Sequence, residues 1–179
     1  MVEQKAVEGS RWPKEYDPDL ERVVESNSLY IKVERPKRIA PNKPTRRLTT
    51  LKPKSPEITA HFNILEEPYF MEMDGQGRAG DHFHNKKVEV FCPVKNTPLF
   101  LYLEHVTSGE KAVVTLVNKK IDTYEQYVIL PGVIHTIINP SIEPVPYLVL
   151  SNVKEKEAIG SGDVIEHQLD LSTFPSPQI

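Results

Sequence analysis

The stretch Gly80-Asp81-His82-Phe83-His84-Asn85-Lys86-Lys87-Val88-Glu89-Val90-Phe91 decides how this chain is read. Successive side chains of a β-strand point to opposite faces, so His82 and His84 project together while Phe83 points away. Two imidazoles at that spacing can approach one ion at roughly 2.0–2.2 Å without distorting the strand. Asn85-Lys86 reads as a short turn that brings the chain back alongside itself. The Glu89 carboxylate can then meet the same ion, and Phe91, on the same face, supplies apolar wall.

A second segment completes the set. In Leu130-Pro131-Gly132-Val133-Ile134-His135-Thr136-Ile137-Ile138-Asn139, Pro131-Gly132 is a tight turn and His135 opens the strand that leaves it. A closed sheet can place His135 opposite the His82/His84 pair. Three histidines and one carboxylate leave room for water or substrate on a six-coordinate metal.

Around these segments, short apolar runs alternate with turn signals, the pattern of a β-sandwich or barrel. Strands are expected near 58–65, 68–73, 81–84, 87–94, 98–106, 111–118, 125–130, 134–138 and 145–152. Asp74-Gly75, Asn96-Thr97, Ser108-Gly109, Pro131-Gly132 and Asn139-Pro140 punctuate them. The high proline count, 16 against 8 glycines, argues against a helical bundle. No internal repeat stands out, so one barrel is expected.

Upstream, Asp17-Pro18-Asp19 reads as a helix start, with Leu20, Val23 and Val24 as an apolar stripe ending near Asn27. A short strand, Leu29 to Val33, should follow. Arg35, Lys37, Arg38, Lys43, Arg46, Arg47, Lys52 and Lys54 then occur with no acid between them, and Pro36, Pro41, Pro44, Pro53 and Pro56 punctuate the stretch from Arg35 to Pro56. That composition predicts an extended arm across the barrel or a neighbouring subunit, with arginines able to reach an anionic substrate group such as phosphate. The domain reading is an extension over 1–57 with a short helix and basic arm, a barrel over 58–155, and a C-terminal closing strand or cap over 156–179.

The formal charge of −3 gives no general attraction to nucleic acid or anionic membrane. No aromatics interleave with the basic arm to stack on bases. No run approaches 18 apolar residues, so no membrane span is expected. The lone Cys92 cannot form an internal disulfide, reads as a small apolar side chain, and with no signal-peptide pattern points to the cytoplasm. His61, His105 and His167 lack a ligand context and read as structural.

The two quoted segments resemble the paired motifs of the cupin superfamily: His-x-His, three or four residues, Glu; then Pro-x-Gly-x-x-His-x-x-x-Asn. The likeness covers about residues 58–152. It departs at two turns, where Asn96 stands in place of a glycine and Pro131 directly precedes Gly132. The resemblance implies an all-β jelly-roll barrel (a double-stranded β-helix). It also implies one divalent metal (Fe, Mn, Ni or Zn) held by His82, His84, Glu89 and His135, and a homodimer with the arm lying over the partner.

Fold alone does not supply a reaction. The first segment is similar to that of sugar-modifying cupins, which implies an isomerase or epimerase acting on a sugar derivative or similar polar, oxygen-rich small molecule, an anionic one included. A non-haem metal dioxygenase and a non-catalytic small-ligand module are the alternatives. Catalytic residues are not assigned; Tyr102, Glu104 and Tyr127 lie on expected barrel strands with their facing open.

Overall fold

Runs rich in Val, Ile, Leu and aromatic residues cannot bury one face alone, and here they form two antiparallel sheets packed face to face. The computed structural model describes residues 21–36, 38–40, 43–48, 51, 55–60, 66, 68–120 and 123–178. Its strands are β1 (Arg22–Ser26), β2 (Tyr30–Pro36), β3 (Arg38–Ala40), β4 (Lys43–Leu48), β5 (Tyr69–Met73), β6 (Arg78–His84) and β7 (Glu89–Pro93). They continue with β8 (Leu99–His105), β9 (Lys111–Leu116), β10 (Thr123–Ile129), β11 (Val133–Ile138), β12 (Val145–Ser151) and β13 (Val164–Glu166). Two short helices, α1 (Pro56–Thr59) and α2 (Glu155–Gly160), accompany them.

One sheet runs β1-β2-β10-β7-β12-β5 and the other β13-β6-β11-β8-β9. From β6 to β12 the chain crosses repeatedly between the two sheets, so the all-β jelly roll expected from the motifs is what forms. The core strands match the expected spans closely.

Period-two alternation sorts the side chains into three apolar groups. Leu99, Leu101 and Leu103 of β8, Val133 and Ile137 of β11, and Val145, Tyr147 and Val149 of β12 fill the space between the sheets. Val90, Cys92, Val128 and Leu150 point outward from the larger sheet and meet Ile58 of α1. Phe83, Phe100, Tyr102 and Ile134 point outward from the smaller sheet and are covered by Leu169 and Phe174 of the C-terminal segment. Each fully buried aliphatic side chain contributes roughly 1.5–3 kcal/mol by leaving water. Cys92 is the buried apolar side chain expected, and burial pushes its thiol up to about 12.

Three expectations fail upstream. Residues 22–26, expected in a helix, form β1, an edge strand on β2 in which Arg22 stands opposite Glu34 and pairs with it. β-branched Val23 and Val24 suit a strand, and a paired neighbour outweighs weak helix signals. The start of the helix, at 17–20, lies outside the described residues. Because β1 and β2 belong to the larger sheet, the barrel begins well before residue 58. The strand expected at 58–65 begins instead with α1, whose Pro56 occupies the first turn and whose Ile58 is buried; residues 61–65 lie outside the described residues.

The basic run divides as well. Arg35 is fully buried and paired with Glu21 and Gln126, so it serves the fold and not a ligand. Arg38, Lys43, Arg46 and Arg47 fall in β3 and β4, a separate two-stranded sheet. Lys37, Lys52 and Lys54 lie outside the described residues.

At the turns, Gly132 has φ +79° and its N–H donates to the His84 carbonyl at 2.7 Å, tying the second motif to the first. Asn96 does not use left-handed geometry; among the described non-glycine residues Gln76 and Asp81 do. Asn139, which ends the second motif, is a structural anchor. Its side-chain amide donates to the carbonyls of Met73, Asp74 and Glu143 at 3.1, 3.0 and 2.8 Å.

Candidate metal centre

Strands β6 and β11 lie side by side with His135 opposite His82. A bulge interrupts the pairing just beyond: His135 pairs with His82 but Thr136 pairs with Gly80, leaving Asp81 as the extra residue. Gly80 (φ +102°) and Asp81 (φ +60°) supply the backbone turn. A Cβ at Gly80 would stand 2.5 Å from the His135 carbonyl oxygen, so glycine is required there. The Asp81 carboxylate accepts from Arg78 Nε at 2.8 Å, Thr136 Oγ1 at 2.8 Å and the Leu169 N–H at 3.0 Å. Burial pushes Asp81 up, but Arg78, Leu169 and Thr136 outweigh it and hold the carboxyl below its usual range. Bulges re-aim side chains, and this one sits where His82 turns inward.

All four expected residues converge. One ligand atom from each of His82, His84, Glu89 and His135 lies within 4.8 Å of every other. Glu89 Oε2 is 3.0 Å from His135 Nε2 and 3.7 Å from His84 Nε2. The His82 ring centroid is 5.0 Å from that of His84 and 4.6 Å from that of His135. His135 Nδ1 lies 3.1 Å from the Val133 carbonyl, an outer partner that fixes the ring with Nε2 facing Glu89 and the cluster.

His84, Glu89 and His135 are buried and His82 is partly buried. Burial is also the main force that pushes His82 down to about 4, followed by His135 and opposed by Glu89, so its imidazole is neutral at ordinary pH and can serve as a ligand. Burial raises Glu89, but His135, His84 and Lys87 outweigh it and hold the carboxyl well below its usual range. Both nitrogens of His84 are buried with no hydrogen-bond partner among the described residues. A buried imidazole left without a hydrogen bond is costly unless something else binds it.

His82, Glu89 and His135 of the cluster form the polar end of a cavity of about 200 Å³. Tyr69, Met71, Phe91, Ile137, Tyr147 and Val149 make up much of the remaining wall, and Glu155 of α2 reaches it from outside the barrel. Phe91 lies on the inner face as expected, its ring centroid 5.9 Å from His135. Tyr147, opposite Phe91 at 5.9 Å, is raised by burial and by the Glu89 charge, so its phenol stays protonated.

Sequence reasoning did not select the tyrosines that reach the cavity. Tyr102 lies on the outer face against Phe174, Glu104 pairs with Lys111 at 3.3 Å, and Tyr127 donates to Glu125 at 2.8 Å away from the cluster. The inward alternation Val145, Tyr147, Val149 is the signal that would have found Tyr147. His105 Nδ1 accepts from the Thr107 and Ser108 N–H groups at 3.2 and 3.3 Å, a structural role, and His167 is exposed beyond β13. His61 lies outside the described residues.

No protein-family model and no curated protein matches the sequence. Solved structures do share the fold. A double mutant of the QdtA 3,4-ketoisomerase from Thermoanaerobacterium thermosaccharolyticum, in complex with TDP, matches with TM-score 0.58 and 17% identity over 79% of this chain and 90% of that one. The dTDP-4-dehydrorhamnose 3,5-epimerase from Sulfolobus tokodaii matches with TM-score 0.58 and 12% identity over 75% of this chain and 76% of that one. NovW, a 4-keto-6-deoxy sugar epimerase from Streptomyces spheroides, gives TM-score 0.58 and 12% identity over 76% and 70%. The capsular polysaccharide assembling protein CapF from Staphylococcus aureus gives TM-score 0.49 and 14% identity, and the match spans only 34% of CapF. The chain shares with these proteins an all-β jelly-roll fold. Among the described residues no helix is long and apolar enough to cross a membrane.

Proposed function

We propose that this chain is a metal-dependent isomerase or epimerase acting on a keto sugar or a similarly hydroxylated small molecule. The convergence of His82, His84, Glu89 and His135, with neither His84 nitrogen hydrogen-bonded among the described residues, is the observation that carries the metal. The donor set of three imidazoles and one carboxylate suits Fe, Mn, Ni or Zn. A bound divalent ion supplies Lewis acidity toward a carbonyl or hydroxyl oxygen and offsets negative charge as a proton leaves the adjoining carbon.

The chain's own residues do the rest. Phe91, Ile137, Val149 and Met71 keep water from the reacting carbon, and the Tyr147 phenol is placed to give up or receive a proton. The cavity of about 200 Å³ is smaller than the roughly 300–1,000 Å³ that encloses drug-sized ligands, so it takes one sugar ring and leaves any nucleotide outside. The sugar 3,4-ketoisomerase and the sugar epimerases that share this fold favour keto-sugar chemistry over the alternatives.

The test uses the purified chain loaded in turn with zinc, manganese, nickel or iron and incubated with dTDP-4-dehydrorhamnose in D₂O. Metal-dependent incorporation of deuterium at a carbon beside the keto group, read by NMR, is the expected result. No exchange with any metal would remove the isomerase reading, and oxygen uptake with iron in its place would select the dioxygenase.

A further inference from the structure

Glu89 divides its two oxygens. Oε2 faces His84 and His135, while Oε1 accepts from Lys87 Nζ at 2.7 Å. Lys87 is fully buried, and its ammonium also pairs with Glu155. One carboxylate would suffice to neutralise Lys87. The second, Glu155, stands on the wall of the cavity that holds the histidine cluster.

Its position is built in. Asp163, just beyond α2, receives the N–H groups of Asn85, Lys86 and Lys87, each at 3.0 Å, and its own N–H donates to the Ala158 carbonyl at 2.9 Å. Ala158 is buried without exposed surface. The helix that carries Glu155 and the loop that carries Lys87 are therefore held to each other. The Glu155 side chain is 44% exposed while Lys87 is fully buried, so a turn of the carboxylate away from the cavity would leave the buried ammonium with Glu89 alone.

We propose that Glu155 is a substrate-facing carboxylate of this site, accepting a hydrogen bond from a hydroxyl of the bound sugar ring, and that Lys87 is the positioning residue that holds it there. This rests on the sugar-isomerase reading and narrows it. The substrate carries a hydroxyl, not an anionic group, at the point nearest Glu155, because two carboxylates already share one ammonium there.

The test measures zinc affinity and deuterium exchange into dTDP-4-dehydrorhamnose for the wild-type chain, E155Q, E155D and K87M. Glu155 is not a ligand in the cluster, so E155Q should bind zinc within about threefold of wild type. Its exchange kcat/KM should fall about tenfold to a hundredfold, the loss of one hydrogen bond to a charged acceptor, with part regained in E155D. K87M also takes away the partner of Glu89 Oε1, so its exchange loss should be at least that of E155Q, and adding E155Q to K87M should cost nothing further, since the Glu155 arm is already gone. Should K87M fail to fold, the E155Q and E155D pair decides alone. Wild-type exchange rates in E155Q would overturn the assignment, as would additive losses in the double variant. Absence of exchange in the wild-type chain removes the sugar reading and this inference with it.

Discussion

Replacing His135 with alanine should abolish metal-dependent stabilisation. A metal that binds only the folded chain stabilises it by about 2.7 kcal/mol at a hundredfold excess over Kd. For a chain of this length that is a rise in Tm of roughly 5–10 °C. His135 Nε2 is 3.0 Å from the Glu89 carboxylate, and no other imidazole among the described residues can reach its place. The variant should therefore lose more than the roughly tenfold to hundredfold in affinity that removal of a supporting partner costs. Thermal scans of the wild type and H135A, each with and without zinc, check this. An undiminished rise in H135A would place the ion elsewhere.

Asp163→Ala should be the most damaging change outside the cluster. It strips the acceptor from three successive backbone N–H groups, those of Asn85, Lys86 and Lys87. Hydrogen bonds to a charged group contribute about 1.5–3 kcal/mol each, and water can replace the partners of exposed Asn85 and Lys86. The expected net cost is about 3 kcal/mol, or roughly 6–12 °C in Tm. The loop concerned joins His84 to Glu89, and Asp163 Oδ2 lies 3.8 Å from His84 Nδ1. Metal affinity should therefore fall as well, about tenfold or more. D163N, which keeps one oxygen, should fall between. Calorimetry of the metal-free proteins and zinc titration separate the two effects, and unchanged stability in D163A would refute the clamp.

The site was legible because strand alternation is a local rule. His82, His84 and Glu89 lie within eight residues and their spacing already says which of them share a face. His135 needed only a strand paired to the first, which β-branched Val133, Ile134 and Ile137 supplied. Lys87 was readable by the same rule, two residues before Glu89, but its lysine side chain argued for solvent; its burial depends on two carboxylates, one of them far along the chain. Glu155 and Asp163 carried no local signal. They matter because α2 packs Ala158 against the barrel, a contact that only the folded chain creates.

The N-terminal errors have the opposite origin. Asp17-Pro18-Asp19 resembles a helix start, yet the residues that follow find a partner in β2, and a paired strand gives them more than an isolated short helix can. Ser55-Pro56-Glu57 carries the same kind of start signal, and there α1 does form, because Ile58 plugs the outer face of the larger sheet. The same local signal leads to either outcome according to what tertiary partner is at hand.

X-ray absorption at the zinc edge of the metal-loaded chain tests the central claim most directly. Three imidazole nitrogens and one carboxylate oxygen at roughly 2.0–2.2 Å are expected, with one nitrogen scatterer lost in H135A. A shell without histidine scattering, or one unchanged in that variant, would contradict it.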